Sequence, residues 1–429
     1  MTISPPEHQI EDLARNARRR RVAHSARSTG HVVIATLNRA QGNTGVHTHT
    51  SALREGFRGE GVQCNVVTPF DNPAYWLGIF AVRPVILDRF LPARSIHWYR
   101  HWHAKALRVS LRRYLAEHPV DHIIAQCPVS ARAALDVRAE LADNNRPAIT
   151  PAITLVCHFN HSEAQEYQVA GQLKNDSVYQ QMLDYEDEVL RGVDQLVYVS
   201  EWARGIVEKD RKIIPPKSVV VHNGIPLLDE AETSLSRRDI RATEDDLLLI
   251  NVGTLESRKN QIRLLDLFAA VHAREPRAKL LIVGDGPDAA AIREKVESLG
   301  LQDRVVMLGR RTDVSSLLKL SDLYVHYSTL ENCPMVILEA ARAALPWAAI
   351  PVAGIVELQR AIGGCMPLDP DATDASAKAV VALLNDRDRR KAMGQSAREN
   401  FIRRFTQKVM VQSYLHAMDE ICPKAEAFA

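Results

Sequence analysis

Ser328-Thr-Leu-Glu-Asn-Cys-Pro-Met-Val-Ile-Leu-Glu-Ala340 decides how this chain is read. The run before it, Asp322-Leu-Tyr-Val-His-Tyr327, has the continuous apolar character of a buried parallel strand. Pro334 suits the opening of a helix, because the N–H it lacks would be unpaired there anyway. The order is strand, short loop, helix, with the free N–H groups of the first helical turn beside the strand's carboxyl end. A helix start in that position binds anions. Glu331 falls in the loop and Glu339 about two turns into the helix. A phosphate on the amides, with carboxylates accepting bonds from hydroxyls on either side, describes a diphosphate carrying a sugar at each end. Two glutamates at this spacing on an ordinary surface loop would signify nothing; the buried strand ahead of them gives the pair its meaning.

The same strand-and-helix alternation extends outward in both directions. Strands are expected at 247–252, 279–283, 304–308, 323–327 and 347–350, with helical patterns at 260–274, 288–299, 313–320 and 335–344. An earlier series starts with the strand His31–Leu37. A loop from Asn38 to Thr44 follows, then a helix from about Gly45 to Gly59 and a strand over Gln63–Thr68. Apolar runs at 120–126, 152–158 and 195–200 have strand character too. Repeated βαβ units imply parallel sheets covered by helices. Beyond residue 373 the pattern is helical. The chain divides into a basic tail (1–30), an N-terminal domain (31–225) joined by a C-terminal helix (405–429), a charged linker (226–245) and a second domain (246–404).

Composition narrows the class. The 429 residues suit two domains, and 46% apolar with 25% charged residues is ordinary for a globular chain. No apolar run approaches the ~18 residues of a membrane span, and no secretory signal is visible. Six cysteines (64, 127, 157, 333, 365, 422) are scattered without a C-x-x-C pair, which argues for a reducing, cytoplasmic compartment and against a zinc site. Net charge is +2, but residues 1–116 hold 17 Lys/Arg against 7 Asp/Glu, a balance of +10, and the remainder balances at −8. Residues 74–102 interleave Tyr75, Trp76, Phe80, Phe90, Trp98, Tyr99 and Trp102 with Arg83, Arg89, Arg94 and Arg100. Such a stretch suits a lipid interface, or else a helix packed on the first sheet. No RNA or DNA motif accompanies it, so nucleic acid is not an expected partner.

Several further segments carry a family resemblance. They are Asn251-Val-Gly-Thr-Leu-Glu-Ser-Arg-Lys-Asn260, Leu281-Ile-Val-Gly-Asp-Gly-Pro287, Arg304-Val-Val-Met-Leu-Gly309, Asp313-Val-Ser-Ser-Leu-Leu318, Glu331-x7-Glu339 and Pro351-Val-Ala-Gly-Ile-Val-Glu357. In this order and spacing they resemble the retaining GT-B glycosyltransferases of family 4 (glycosyl transferases group 1). The first half adds the Gly loop ending at Gly45, Val156-Cys-His158, Tyr198-Val-Ser-Glu201 and Val221-His-Asn-Gly-Ile225. The resemblance implies two Rossmann-like domains facing across a cleft, with a C-terminal helix crossing back to the first. It implies transfer of a sugar from a UDP- or GDP-sugar to an acceptor hydroxyl with retained configuration, without a metal or other cofactor. Lys259 and Arg258 would meet the diphosphate, where one such contact can be worth ~3 kcal/mol. Glu331 would hold donor sugar hydroxyls, His158 the sugar from the other domain, and Glu339 the ribose. Donor binding would also involve Gly45, Gly253, Asn223, Gly286, Arg310, Asn332, Cys333, Pro334, Met335 and Val336.

The sequence departs from the family pattern at several positions. Thr254 stands where an arginine is common, so one cation usual at the diphosphate is missing unless Arg258 replaces it. Asn332 and Cys333 stand where Gly and an aromatic residue are usual, and Ala344 where Gly is frequent. Lys259 reads as an exposed cation at a helix start. The basic front half suggests an anionic or lipid-linked acceptor and peripheral contact with the inner membrane face. Two alternatives share the fold: a nucleotide-sugar epimerase, which would need its own acid and base groups, and a non-catalytic nucleotide-sugar binding protein.

Overall fold

The computed structural model describes residues 30–38, 45–71, 92–143, 150–169, 171, 173, 175–227 and 235–421, without the side chains of 92–97 and 143. The expected tail, most of the loop before Gly45, residues 74–91, part of the linker and the last residues lie outside these.

Two parallel six-stranded sheets form the molecule. The first is built by β1 (His31–Ala35), α1 (Gly45–Gly59), β2 (Gln63–Val67), α2 (Pro92–Glu117), β3 (His122–Ala125), α3 (Pro128–Asp143), β4 (Ala152–Cys157), α4 (Glu163–Val169), α5 (Asp176–Gly192), β5 (Gln195–Tyr198), α6 (Glu201–Gly205) and β6 (Ser218–Val220). Its strand order is β2-β1-β3-β4-β5-β6. Every residue of β1, β3 and β5 is buried, as strands covered by helices on both faces require. Helix α1 buries His49, Ala52, Leu53 and Phe57, a three-and-four spacing that lays one face on the sheet.

The second sheet comprises β7 (Leu247–Val252), α7 (Gln261–His272), β8 (Ala278–Val283), α8 (Ala289–Ser298), β9 (Val305–Gly309), α9 (Val314–Leu320), β10 (Leu323–His326), α10 (Met335–Arg342), β11 (Trp347–Ala349), α11 (Gly354–Ile362) and β12 (Cys365–Pro367). The order is β12-β11-β10-β7-β8-β9. Strands β6 and β12 went unread in the sequence; each is a three-residue edge strand, too short for a periodic signal.

The chain closes with α12 (Thr373–Asn385), α13 (Arg387–Arg404) and α14 (Gln407–Asp419). Thr406 caps α14 by accepting from Val409 N at 3.3 Å. Helix α14 then crosses to the first domain. Gln407 N donates to Ile225 O at 2.9 Å and its carboxamide to Ala52 O at 2.8 Å. Farther along, Gln195 Nε2 donates to Ala417 O at 3.0 Å. A Cβ on Gly56 would lie 2.3 Å from Val411, so only glycine lets α1 and α14 approach this closely. One apolar cluster runs through both domains, joining Val32, Ile34 and Leu53 to Met335, Ile337, Tyr324, Met410 and Tyr414.

The aromatic-arginine stretch resolves partly. Its described end begins α2, a helix of 26 residues. Trp98 and Trp102 are half-buried. Arg100 is buried, donates to Glu163 Oε2 at 2.5 Å and lies 5.4 Å from the centre of the Tyr185 ring. It is thus an interior residue of the first domain rather than a surface cation.

Candidate donor site at the interdomain cleft

The carboxyl ends of both sheets meet at the cleft, where open parallel sheets place their ligands. On the second domain, three loops converge. The loops after β7 and β8 touch through glycine: a Cβ on Gly284, at φ +136°, would lie 1.9 Å from Gly253 O, and one on Gly286 would lie 2.3 Å from Leu255 O. That contact sets the path of residues 253–256 into the tight turn Ser257–Lys259, which Asn260 ends in the left-handed region at φ +58°. The turn presents Arg258 and Lys259 to the loop after β10.

There both cations find Glu331. The Lys259 ammonium donates to Glu331 Oε1, and Arg258 Nη1 lies 3.3 Å from Oε2. Arg258 also donates to Leu330 O at 3.1 Å and to Glu256 Oε1 at 2.8 Å. His326 Nε2 faces Glu331 Oε1 at 3.3 Å, and its Nδ1 is 2.7 Å from the Tyr324 hydroxyl. Burial alone would raise the Glu331 carboxyl, but Lys259, His326 and Arg258 together hold it well below the usual carboxylate range. Lys259 is therefore not the exposed cation the sequence suggested: its side chain is 15% exposed and ion-paired. Both oxygens of Glu331 are engaged by these neighbours, so this carboxylate organises the two cations.

The next residues turn toward the first domain. Asn332 accepts from Ser200 Oγ and donates to Phe159 O at 3.1 Å, while Cys333 O accepts from Asn223 Nδ2 at 2.8 Å. Asn332, Cys333 and Asn223 thus bridge the domains. Behind this loop, a Cβ on Gly354 would stand 1.7 Å from Asn332 O, so α11 packs directly on the loop backbone. Glu357 of the same helix accepts from Glu201 N at 2.8 Å and pairs with His222 Nε2 at 2.6 Å, a second bridge.

Pro334 occupies the N-cap position and Met335 begins α10. Gly45, the first residue of α1, comes within reach across the cleft: a Cβ there would lie 3.7 Å from Met335 Cγ. Two helix starts therefore face the same space, and the positive ends of their dipoles add to the charge of Lys259 and Arg258. Val336 is half-buried behind Met335. Glu339 is half-buried one turn on; burial raises its carboxyl, and nearby Arg342 opposes the shift only in part. Arg310 stands apart from this group, exposed and 3.6 Å from Asp285 Oδ2.

From the first domain, His158 follows β4. Its Nε2 is 2.9 Å from Gln126 Oε1, and burial holds the imidazole down to about 4. The ring of His49, from α1, meets it edge-on with centroids 4.7 Å apart. Burial and the nearness of His158 keep His49 below its ordinary value. His49 Nε2 in turn contacts the Tyr414 hydroxyl of α14 at 3.3 Å. The sequence reading missed Gln126, His49, His326 and Tyr414. The first could have been found from topology, since it directly follows β3 at the ligand-binding end of the sheet. The others are buried in contacts between elements far apart in the chain.

Two parallel, Rossmann-like six-stranded sheets facing across a cleft, with the last helix crossing back to the first domain, define the class as GT-B. Residues 43–227 match the family described as Glycosyltransferase Family 4, and residues 232–400 match Glycosyl transferases group 1. The chain belongs to this glycosyltransferase family. A curated relative, N-acetyl-alpha-D-glucosaminyl L-malate synthase of Bacillus anthracis, is 28% identical over 228 residues, covering 52% of this chain and 59% of the relative. The chain matches between about a third and three fifths of the length of the first curated relatives. Among solved structures, Anabaena Alr3699/HepE in complex with UDP and glucose superposes with a TM-score of 0.65 at 16% identity, over 90% of this chain and 98% of that one. The pneumococcal O-GlcNAc transferase GtfA in complex with UDP and GlcNAc gives 0.56 at 16%, over 74% and 60%. At these identities the two structures share the fold.

Proposed function

We propose that the protein is a retaining glycosyltransferase that moves a sugar from a UDP-sugar to an acceptor hydroxyl. The observation that carries this reading is the convergence of Lys259 and Arg258 on Glu331, beside the start of α10 and opposite Gly45. A diphosphate bound there meets two cations and two helix starts, the groups that stabilise charge developing on a leaving phosphate. UDP is favoured over GDP because the solved relatives with this fold were crystallised with UDP. The donor sugar would lie between Glu331 and His158, with the ribose near Glu339. Among the described residues the carboxylate facing the sugar, Glu331, is held by Lys259 and Arg258, and no other is placed as an evident nucleophile. The acceptor would therefore attack from the face the diphosphate leaves, its proton passing to the leaving phosphate oxygen. The test is thermal stabilisation by UDP, GDP and their sugars, since a bound ligand stabilises by mass action, followed by donor turnover. Stabilisation by GDP but not UDP would overturn the donor assignment. Conversion of a UDP-sugar to its epimer in the absence of acceptor would favour the epimerase reading.

The acceptor is proposed to be anionic or lipid-linked, the protein working at the cytoplasmic membrane face. Support comes from the +10 balance of residues 1–116, and from relatives named for L-malate and for a diacylglycerol glycolipid. No helix among the described residues is long and apolar enough to cross a membrane, so contact would be peripheral. Basic residues near an anionic surface add ~1 kcal/mol each within a Debye length. Binding to anionic vesicles at low salt that fades as salt rises is the expected result; equal binding to neutral vesicles would leave a soluble acceptor as the reading.

A further inference from the structure

Gln126 does something specific to the ring beside it. A neutral imidazole has one N–H donor and one lone-pair acceptor, and the partner of one nitrogen settles the role of the other. His158 sits among buried groups that favour the neutral ring. Its Nε2 is 2.9 Å from the side-chain oxygen of Gln126, which can only accept. With the carboxamide oxygen as its partner, the ring carries its proton on Nε2 and its lone pair on Nδ1.

We propose that Gln126 is a positioning residue that holds His158 in the Nε2–H tautomer, so that Nδ1 is offered as an acceptor to a hydroxyl of the donor sugar. The inference rests on the reading that His158 faces that sugar. Three further observations support it. Nδ1 of His158 makes no hydrogen bond to a described residue, so it is free for a ligand. The ring cannot swing away readily, because His49 packs edge-on against it and is itself in contact with Tyr414. Gln126 is rigidly placed, its N–H bonded to Ala35 O at 3.0 Å and its side chain 3% exposed. Its Nε2 is buried with no partner. An apolar side chain of the same length would pack there without that loss, so the bond to His158 is what the carboxamide supplies.

The experiment uses the full chain labelled with 15N-histidine. Among the 16 histidines, His158 is assigned by the signals that vanish in His158→Gln. Long-range proton–nitrogen spectra then report which ring nitrogen carries the proton. The wild type should show a protonated Nε2 and a bare Nδ1, and Gln126→Met should show a mixture of tautomers. A protonated Nδ1 in the wild type, or an unchanged tautomer in Gln126→Met, overturns the proposal. Binding separates this role from a general structural one. Gln126→Met should leave UDP affinity within twofold, because UDP lacks the transferable sugar that would meet Nδ1, and should slow hydrolysis of UDP-glucose or UDP-N-acetylglucosamine about tenfold, the size of one hydrogen bond. Equal losses for UDP and UDP-sugar would mark Gln126 as merely structural. A tautomer that follows Gln126 while His158→Gln turns over normally would support the positioning and remove His158 from the donor site.

Discussion

Lys259 donates to Glu331, a residue 72 positions later in the chain, and Arg258 flanks the same carboxylate at 3.3 Å. The pair joins the loop after β7 to the loop after β10, neighbouring strands of the second sheet. Glu331 thus has two effects. It fixes two flexible cations in place, which on the proposed donor reading would reduce the reorganisation needed during reaction. It also partly neutralises them, so that the site is cationic without two uncompensated charges beneath the cleft.

Removing Lys259 should therefore affect both activity and folding. Lys259→Met should lower donor turnover by a factor of hundreds, on the scale of ~3 kcal/mol for a lost transition-state contact. It should also destabilise the fold by about 3 kcal/mol, because the buried Glu331 loses a partner. Adding Glu331→Gln should recover much of the stability and none of the activity. Urea denaturation of the two single variants and the double variant measures the coupling; additive losses would mean that the pair contributes nothing as a pair.

Acid should weaken the fold through buried histidines. Burial holds both His122 and His158 down to about 4, whereas in an unfolded chain each titrates near ~6.5. Between those values the unfolded state binds more protons, so stability falls as pH falls from about 6.5 to about 4. His122→Gln should remove one proton from that dependence, flattening the slope by up to about 1.4 kcal/mol per pH unit. Glu331 has a lowered carboxyl, so its contribution is lost mainly as pH falls through and below its unfolded value of ~4.3, beneath the pH 5.0 to 7.5 range compared. Urea midpoints at pH 7.5, 6.0 and 5.0 provide the comparison; parallel curves for variant and wild type would exclude His122 as a source.

Ala344 marks a place where the chain forgoes stability. It follows α10 in the left-handed region at φ +55°, with its N–H bonded to Ala341 O at 3.0 Å. Helices commonly end on a glycine in this conformation, because a Cβ is strained there by roughly 1–2 kcal/mol. Ala344→Gly should raise unfolding stability by about 1 kcal/mol, less the extra freedom glycine gives the unfolded chain. Calorimetry should record a higher melting temperature, with UDP affinity unchanged. A lower melting temperature would show that the Cβ makes a packing contact worth more than the strain.

Ala344 was legible as a departure because its physics is local, and the same holds for most of the fold. The strands β1, β7, β8 and β10 are continuous apolar runs, and α1 and α14 repeat at helical spacing, so periodicity alone located them. Short edge strands such as β6 and β12 carry no such signal. At the site, Gly284, Pro334 and Glu331 stood out by position in a strand-loop-helix unit. What the sequence could not convey is which groups face one another. Asn332 read as a donor ligand, yet it bonds Phe159 and Ser200 of the first domain. Lys259 read as exposed, yet it is paired with a buried carboxylate. Arg100 lay in a stretch that read equally as a lipid interface or as a helix packed on the first sheet, and it is inside with Glu163. Each of these outcomes depends on contacts between residues more than sixty positions apart, which no local pattern encodes.

A backbone contact within the second domain leads to the last prediction. Gly354 begins α11, and a Cβ added there would lie 1.7 Å from Asn332 O and 2.7 Å from its carbonyl carbon. Both atoms are backbone, so no side chain can swing aside; the loop or the helix must move. The loop is tied on both sides, by Gly354 N donating to Glu331 O at 2.9 Å and by Asn332 donating to Phe159 O. Gly354→Ala should therefore shift residues 331–333 together, pulling Glu331 from Lys259 and loosening the bridge to the first domain. Overpacking of this kind costs typically ~1–3 kcal/mol, and the folded variant should bind UDP at least tenfold more weakly. Gly300→Ala supplies the control. It sits at φ +66° with nothing near its would-be Cβ, so it should cost similar backbone strain without affecting UDP binding. Equal UDP affinity in Gly354→Ala and Gly300→Ala would show that the 331–333 loop does not position the donor.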